Sequence, residues 1–376
     1  MSGWPGKYVI GLTGNIATGK SVVRKMLEHL GAYGIDADAL SHQVIMKGSP
    51  GYQPVVETFG KWVLAADSEI DRSRLGRIVF ADVQALKQLE GIIHPHVRLA
   101  INALVSHTPR PVVVVEAIKL LESGLAILCS SIWTVISSRE IQITRLVTKR
   151  GLSEAEAILR VDAQPSQELK LKSAQVVISN DGPYEETWKQ VYAAWQETFP
   201  AETKTQRSLE ASISDLVVQR ARPGEAEQIA DLINRLDSAK SRLDYEQVME
   251  AFGDKAFLLL RKSGLLCGII GWQVENLVMK IDDVHIDENL PAENALSLLF
   301  KEAEDASQEL QCEISLLFLP LKYQGREELF RSLGYSSRPI QSLGVRAWEE
   351  AARESSSGEG LVLYKQLRKD RVLKPV

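Results

Sequence analysis

The sequence predicts an α/β protein whose first half contains a largely parallel sheet. Short apolar runs typical of buried strands recur along the first 180 residues, at 8–12, 32–35, 111–116, 131–137 and 175–178. Stretches with the helical spacing of apolar residues separate these runs, notably 82–94 and 153–164. Strands that alternate with helices favour parallel pairing, because each crossover helix returns the chain to the same end of the sheet.

A second pattern after residue 214 predicts a separate α+β domain. Residues 200–214 are polar and have no periodic apolar face, which is typical of a linker. Beyond them the predicted order is strand, helix, two hairpin strands, strand, helix, strand and helix, at 216–220, 223–236, 256–261, 265–274, 283–286, 291–309, 313–318 and 326–333. We therefore expect a first domain at 1–202, a linker at 203–214 and a second domain at 215–376.

Composition narrows the classes of partner. The 376 residues exceed the roughly 150 of one average domain, and the net charge of −5 provides no overall positive field for nucleic acid or anionic lipid. The longest uncharged apolar stretch, 123–138, is shorter than the roughly 18 residues of a membrane helix. Three widely separated cysteines form neither a disulfide framework nor a zinc pair. We expect a cytoplasmic protein that binds neither nucleic acid nor membrane; its oligomeric state stays open.

A glycine-rich turn joins the first predicted strand to the first predicted helix. Residues 14–21, GNIATGKS, match the phosphate-loop (P-loop) pattern, in which backbone N–H groups surround the phosphates of a nucleotide. The lysine of the pattern reaches the terminal phosphates, its serine binds Mg²⁺, and the following helix N-terminus attracts anions. The pattern predicts ATP and Mg²⁺ as ligands, with nucleotide contacts from Gly14, Ala17, Thr18, Gly19, Lys20, Ser21 and Val22. The alternative is a glycine-rich turn without a ligand.

A P-loop by itself does not separate small-molecule kinases from switch GTPases, motor ATPases or regulatory NTPases. The chain has no NKxD-type guanine signature and no second long ATPase core. The first 200 residues have the size of a compact phosphotransferase.

Six further blocks follow the P-loop in the first half of the chain. They are IDAD (35–38), FGKWVLAADSEIDRSRLGRIVFAD (59–82), LEGIIHPHV (89–97), EAIKLLESGL (116–125), TRLVTKRGLSEAEAILRVDAQ (144–164) and VVISN (176–180). With the P-loop, these blocks resemble the dephospho-CoA kinase family, which phosphorylates the ribose 3′-hydroxyl of dephospho-coenzyme A in the last step of coenzyme A synthesis. The resemblance covers about residues 8–199. It implies an ATP-dependent kinase with dephospho-CoA as acceptor.

The resemblance implies a role for an aspartate beyond the second strand. It aligns Asp38 with the aspartate taken as catalytic base and magnesium neighbour, whereas a structural interpretation makes Asp38 the cap of a helix that begins near Ala39. Asp36 is a less favoured candidate base. Glu116 ends the four-valine strand, where related P-loop proteins carry an acid that holds the metal's water shell. The expected metal set is Ser21, Asp38 and Glu116.

The region after residue 143 resembles the family's lid, a helical flap that closes over ATP. Its arginines balance phosphate charge, and we expect this of Arg145 and Arg150 ahead of Arg160. The expected catalytic residues are therefore Lys20, Asp38, Arg145 and Arg150. The alternative for each arginine is a solvated helix face. Asn180 is a candidate contact near adenine.

The sequence departs from the family in the segment expected to bind the acceptor. The family's proline is Ile118 here and Lys119 adds a positive charge. Gln175 replaces an aspartate before the family's last core strand, and Ser179 replaces one within it. Two alternatives therefore stay open: a nucleotide- or CoA-binding regulator without turnover, and a P-loop kinase of another small-molecule alcohol.

The second half resembles the GNAT acyltransferase fold in its order of elements. That family binds acyl-CoA with an Arg/Gln-x-x-Gly-x-Gly/Ala loop, whereas residues 288–296, ENLPAENAL, contain no glycine and two glutamates. We expect a GNAT-like domain that serves as an interaction or acyl-CoA-binding module. Its last twelve residues, 365–376, carry five basic side chains and are expected to form a solvated tail.

Overall fold

A computed structural model describes residues 3–79, 81–200, 216–237, 242–275, 277–318, 327–355 and 361–368. These residues form two compact units, one within 3–20 and 31–181 and the other within 21–30 and 182–368. The predicted domain boundaries at 202 and 215, and the linker between them, lie outside the described residues and stay predictions.

The first unit contains a parallel sheet, as predicted. Among the described residues it has five strands, β1 (Tyr8–Thr13), β2 (Tyr33–Asp36), β3 (Val112–Glu116), β4 (Ser131–Ile136) and β5 (Val176–Ser179). Their order is β2-β3-β1-β4-β5, and every pairing is parallel. The four valines of β3 are all buried, as expected of a strand that is covered on both faces. Residues that follow the strands therefore meet at one edge.

Nine α-helices belong to the described part of the first 200 residues. They are α1 (Lys20–His29), α2 (Ala37–Gln43), α3 (Tyr52–Phe59), α4 (Arg72–Val79), α5 (Val83–His107), α6 (Arg139–Arg150), α7 (Glu154–Asp162), α8 (Glu168–Ser173) and α9 (Tyr184–Thr198). Helix α5 passes through Pro95 and continues to His107, beyond the predicted end at 94. Its last turns bury Val97, Ile101 and Leu104, and this packing overrides the breaking tendency of proline.

The second unit contains a mixed sheet. Its described strands are β6 (Leu216–Arg220), β7 (Ala256–Lys262), β8 (Leu265–Glu275), β9 (Val278–Ile286), β10 (Ile314–Leu317), β11 (Ser336–Pro339) and β12 (Leu361–Gln366). The order is β11-β12-β10-β9-β8-β7-β6, with β9 and β10 parallel and the other pairs antiparallel. Its further helices are α10 (Ala226–Leu236), α11 (Tyr245–Ala251), α12 (Ala292–Glu309), α13 (Glu327–Arg331) and α14 (Arg346–Ser355).

Two predictions for the second half were wrong in part. Strand β9 begins at Val278 rather than at 283. The prediction missed its first residues because Lys280, which is buried within the strand, interrupts the apolar pattern. The tail predicted from residue 365 begins inside β12, which pairs with both β10 and β11. Lys365 is not simply solvated there, since its Nζ lies 2.7 Å from the Glu304 carboxylate.

No helix within the described ranges is long and apolar enough to cross a membrane.

Candidate functional site

The loop between β1 and α1 has a backbone that requires glycine at two positions. Gly19 has a φ of 89°, and a Cβ there would overlap the side-chain amide of Asn180. A Cβ on Gly14 would overlap the carbonyl oxygen of Val135. Ala17 also has a positive φ, 57°, which is unusual for a residue with a side chain. The loop therefore has the tight shape that a phosphate-binding turn needs.

Lys20 lies inside this loop rather than on the surface. Its residue is 6% exposed, and its Nζ donates a hydrogen bond of 3.1 Å to the carbonyl oxygen of Asn15. Burial lowers the pKa of Lys20, while the charges of Glu116, Asp38 and Asp36 oppose that shift. A buried cation that faces carboxylates is suited to bind an anion or a metal-bound anion.

Ser21 and Val22, the other two predicted contacts of this region, follow in the first turn of α1, where Ser21 is exposed.

Asp36 and Asp38 lie close together in sequence but make different contacts. Asp36 is the N-cap of α2, because its Oδ1 accepts a hydrogen bond of 2.8 Å from the N–H of Ala39. Asp38 lies in the first turn, and its Oδ2 accepts from the N–H of Ile118 at 3.2 Å. The helix is therefore capped by Asp36, and the capping interpretation of Asp38 is wrong.

The environment of Asp38 favours its neutral form. Burial raises the pKa of Asp38, and the charges of Asp36 and Glu116 add to the effect; the N–H of Ile118 and the charge of Lys20 oppose it. Glu116 is 4% exposed at the end of β3, in register with Asp36 on β2. The sheet edge thus holds three carboxylates whose charges act on Lys20. Asp38 and Glu116 supply the hard oxygen donors that Mg²⁺ prefers.

Arg145 and Asn180 both hold the backbone of the P-loop. Arg145 donates from Nη1 to the carbonyl oxygen of Ala17 at 3.2 Å and to Ser137 Oγ at 3.0 Å, and from Nη2 to the carbonyl oxygen of Asn180 at 2.7 Å. The side-chain amide of Asn180 donates to the carbonyl oxygen of Thr18 at 2.9 Å. The two predicted residues therefore meet at the loop. Burial lowers the pKa of Arg145.

The other two lid arginines lie in different surroundings. Arg150 ends α6 and is exposed, and its charge lowers the pKa of Lys20, which means that it acts on the same region. Arg160 lies exposed on α7, where its charge acts on Glu156. The structure thus brings Arg145 to the P-loop and leaves Arg150 exposed at the end of α6 and Arg160 exposed on α7.

Two polar residues of the site were missed by sequence reasoning. Lys170, on α8, is 2% exposed and donates from Nζ to Asn15 Oδ1 at 3.0 Å. The Asn15 amide donates in turn to the carbonyl oxygen of Pro165 at 3.1 Å. Asn15 occupies a variable position of the P-loop pattern, and ELKLKS around Lys170 has the composition of an exposed helix. Neither carries a signal that separates it from its neighbours.

The departures from the family pattern lie beside this site. Lys119 forms an ion pair of 2.5 Å with Glu90, so its extra positive charge is balanced locally. Ile118, which replaces the proline, has the N–H that binds Asp38, and a proline could not donate that hydrogen bond.

In the second unit, side chains of the loop before α12 form hydrogen bonds within that loop. Asp287 Oδ1 accepts hydrogen bonds from the backbone N–H and the side-chain amide of Asn289, at 3.1 and 2.9 Å. The Asp287 carboxylate therefore accepts one backbone N–H and one side-chain amide of this loop.

Comparisons with known proteins match the first half of the chain to one family. A family model described as dephospho-CoA kinase matches residues 8–186. The dephospho-CoA kinase of Geobacter sulfurreducens is 41% identical over 195 residues, which are 51% of this chain and 99% of that protein. That of Symbiobacterium thermophilum is 42% identical over 191 residues, which are 50% and 80%.

Two solved structures each match part of the chain. The dephospho-CoA kinase from Campylobacter jejuni is 28% identical with a TM-score of 0.39, and covers 51% of this chain and 97% of its own. A GNAT-family acetyltransferase from Staphylococcus aureus is 12% identical with a TM-score of 0.33, and covers 41% of this chain and 99% of its own.

Proposed function

This chain belongs to the dephospho-CoA kinase family, and we propose that its first unit, with the helix that follows the P-loop, transfers the γ-phosphoryl group of ATP to the ribose 3′-hydroxyl of dephospho-CoA. The observation that carries the proposal is the buried Lys20 in a P-loop of the required shape, with Asp38 at the adjacent sheet edge. Phosphoryl transfer needs these parts because it depends on positioning and charge neutralisation more than on covalent chemistry.

The P-loop binds the phosphates of ATP in this proposal. Gly14 and Gly19 let the backbone approach the phosphates, and α1 directs its N-terminus at them. Lys20 leaves the carbonyl oxygen of Asn15 and binds the terminal phosphate oxygens, where its charge stabilises the transferred group. Arg145 keeps the loop in shape through Ala17, and Arg150 adds positive charge from the end of α6.

Asp38 acts on the acceptor. Its carboxylate accepts the proton of the 3′-hydroxyl as that oxygen forms a bond to the γ-phosphorus. The bond between this phosphorus and the bridging oxygen breaks, and ADP leaves with the electron pair. A raised pKa makes Asp38 a stronger base than an ordinary aspartate, which suits this role.

Ser21, Asp38 and Glu116 would hold Mg²⁺ beside the phosphates. Within the described residues, no group of three or more histidine, cysteine, aspartate or glutamate side chains forms a metal site, so nucleotide oxygens and water would complete the coordination. When bound, the ion neutralises charge on the β- and γ-phosphates. A cytoplasmic setting suits the three cysteines, which are all free.

For the second unit we propose an interaction or stability module rather than an acyltransferase. The bonds from Asn289 to Asp287 support this, because the loop expected to bind acyl-CoA pyrophosphate already carries a carboxylate. Titration of acetyl-CoA into the full chain, with the P-loop saturated by ATP, tests it. Stoichiometric acetyl-CoA binding that survives both Lys20→Ala and occupation of the acceptor site by dephospho-CoA would contradict the module proposal and favour the acyl-CoA-binding alternative.

An acceptor panel tests the kinase proposal. We expect the purified chain to form ADP from ATP and Mg²⁺ when dephospho-CoA is present, and little with nucleosides or other alcohols. Lys20→Ala should lower kcat by about a hundredfold or more, since it removes a charge that stabilises the transition state. ADP formation with another alcohol alone would indicate a different P-loop kinase. Tight binding of ATP and dephospho-CoA without turnover would indicate a regulator.

A further inference from the structure

Lys170 is a buried cation that has no role in the phosphoryl transfer proposed above. It lies on the short helix α8, where its neighbours Leu169, Leu171 and Lys172 are exposed, and it alone among these four is directed inward. Lysine is rarely buried to this extent because desolvation of its ammonium is costly. Its presence therefore needs an explanation beyond packing.

The fold uses the backbone of Lys170, and any side chain would keep that contact. Thr134 Oγ1 donates to the Lys170 carbonyl oxygen at 3.2 Å, which ties α8 to β4. A methionine of similar length would fill the same space without the charge. The ammonium is thus not required to hold α8 against the sheet.

The ammonium instead holds one residue of the P-loop. Asn15 accepts from Lys170 on its side-chain oxygen, at 3.0 Å. The carbonyl oxygen of the same residue accepts from Lys20 Nζ at 3.1 Å and from Thr18 Oγ1 at 3.0 Å. The side chain and the backbone carbonyl of Asn15 are thus both anchored, and a shift of the backbone at Asn15 would break the contact with Lys170 as well as those with Lys20 and Thr18.

Lys170 also interacts electrostatically with two of the proposed catalytic residues, Lys20 and Asp38. Burial lowers its pKa, and the charges of Glu122, Lys20 and Asp38 all act on it. The Lys20 and Lys170 ammonium groups repel each other, and the charges of Glu122 and Asp38 offset part of that repulsion. Since Lys170 also contacts Asn15 of the P-loop, its positive charge adds to that of Lys20 beside the predicted phosphate site.

We propose that Lys170 is a positioning residue of the phosphate site: through Asn15 it holds the P-loop in the conformation that binds nucleotide, and its charge adds to that of Lys20. The effect on phosphoryl transfer rests on the proposed kinase function, whereas the effect on nucleotide binding does not.

Lys170→Met tests this in the full chain, with Lys172→Met as the matched control on an exposed position of the same helix. We expect Lys170→Met to raise the dissociation constant for ATP and the KM for ATP at least about tenfold, which is the loss typical of a charge-assisted hydrogen bond. Its thermal midpoint should stay the same or rise, because a buried charge is removed. Lys172→Met should match the wild type in all three quantities.

Asn15→Ala breaks the same contact from the loop side and serves if Lys170→Met fails to fold. In the double variant, Lys170→Met should add less than threefold to the effect of Asn15→Ala, because both changes remove one coupling. Unchanged ATP affinity in Lys170→Met, or fully additive effects, would overturn the proposal. If the wild type binds ATP but phosphorylates no acceptor, the kinase function fails while the ATP titrations still decide the role of Lys170.

Discussion

At the scale of single residues, Asp36 and Asp38 differ in what they contribute although they flank the same alanine. Asp36 satisfies an N–H at the start of α2, and Asp38 faces Lys20 and the N–H of Ile118. The sequence motif predicted an acid at this sheet edge, but only the contacts show which of the two is the cap. A pair of variants can separate stability from chemistry here.

We expect Asp38→Asn to lower kcat by about 10²- to 10⁴-fold, the usual contribution of a general base. Its stability should be retained, since asparagine can still accept from Ile118. Asp36→Ala should keep kcat and lose about 1 kcal/mol of unfolding free energy, because a helix cap is removed. Steady-state kinetics and urea unfolding of both variants measure this, and a reversal of the two outcomes would exchange the proposed roles.

The pH profile gives the same assignment a second readout. Because the pKa of Asp38 is raised, this base becomes protonated at a higher pH than an ordinary aspartate. As the pH is lowered, kcat/KM should therefore begin to fall earlier than an ordinary aspartate would cause. Asp38→Asn should lose this limb and leave a flat profile. A limb that persists unchanged in that variant would belong to another group.

At the scale of elements, the P-loop is held by three neighbours from other parts of the chain. Arg145 on α6 binds Ala17, Asn180 beyond β5 binds Thr18, and Lys170 on α8 binds Asn15. Each contact reaches the loop from a residue more than a hundred positions away. The loop's shape is therefore a property of the sheet and its helices as much as of the motif.

Gly19→Ala should abolish measurable ATP binding, because the new methyl group would meet the Asn180 amide and the backbone would be strained at a φ of 89°. Gly31→Ala is the matched control: its φ is also positive, 107°, but a Cβ there meets nothing within 4 Å. We expect that variant to lose about 1 kcal/mol of stability and to bind ATP normally. Isothermal titration with ATP distinguishes them, and equal losses would mean that strain alone, not the Asn180 contact, governs Gly19.

The elements around the P-loop show which features a sequence pattern can predict and which it cannot. The P-loop and the parallel strands were predicted because glycine spacing and apolar runs are local signals. Lys170 was not, because a lysine among exposed helix residues becomes a buried contact only when β4 and the loop lie against it. Pro95 and Lys365 show the same limit, since tertiary packing keeps the first within α5 and the second within β12.

At the scale of the whole molecule, the response to acid depends on a histidine within the second unit. His29, the last residue of α1, forms a hydrogen bond of 2.8 Å between its Nε2 and the carbonyl oxygen of Phe252, and Arg220 Nη2 lies 3.5 Å from its Nδ1. Burial lowers the pKa of His29 to about 3, and the charge of Arg220 lowers it further, while Glu28 and the Phe252 carbonyl oppose the shift. The ring is therefore neutral in the folded state.

The neutral His29 ring should make the folded protein less stable in acid. The unfolded chain takes up a proton on His29 below a pH of about 6.5, whereas the folded chain does so only near a pH of about 3. The free energy of unfolding should thus fall as the pH drops below 6.5, and His29 should account for about 2 kcal/mol of the loss between pH 7 and pH 5. Urea unfolding at the two pH values, followed by tryptophan emission to which Trp188 beside this ring contributes, measures the loss.

We expect His29→Gln to be less stable than the wild type at pH 7 but to lose about 2 kcal/mol less on going to pH 5, because its side chain does not titrate. His107→Gln is the matched control, since His107 is exposed at the end of α5 and its hydrogen bond is to Ala103 of its own helix. That variant should keep the wild-type difference between the two pH values. If His29→Gln loses as much stability as the wild type, the ring is already charged in the folded protein, and the acid sensitivity of the second unit must come from its carboxylates instead.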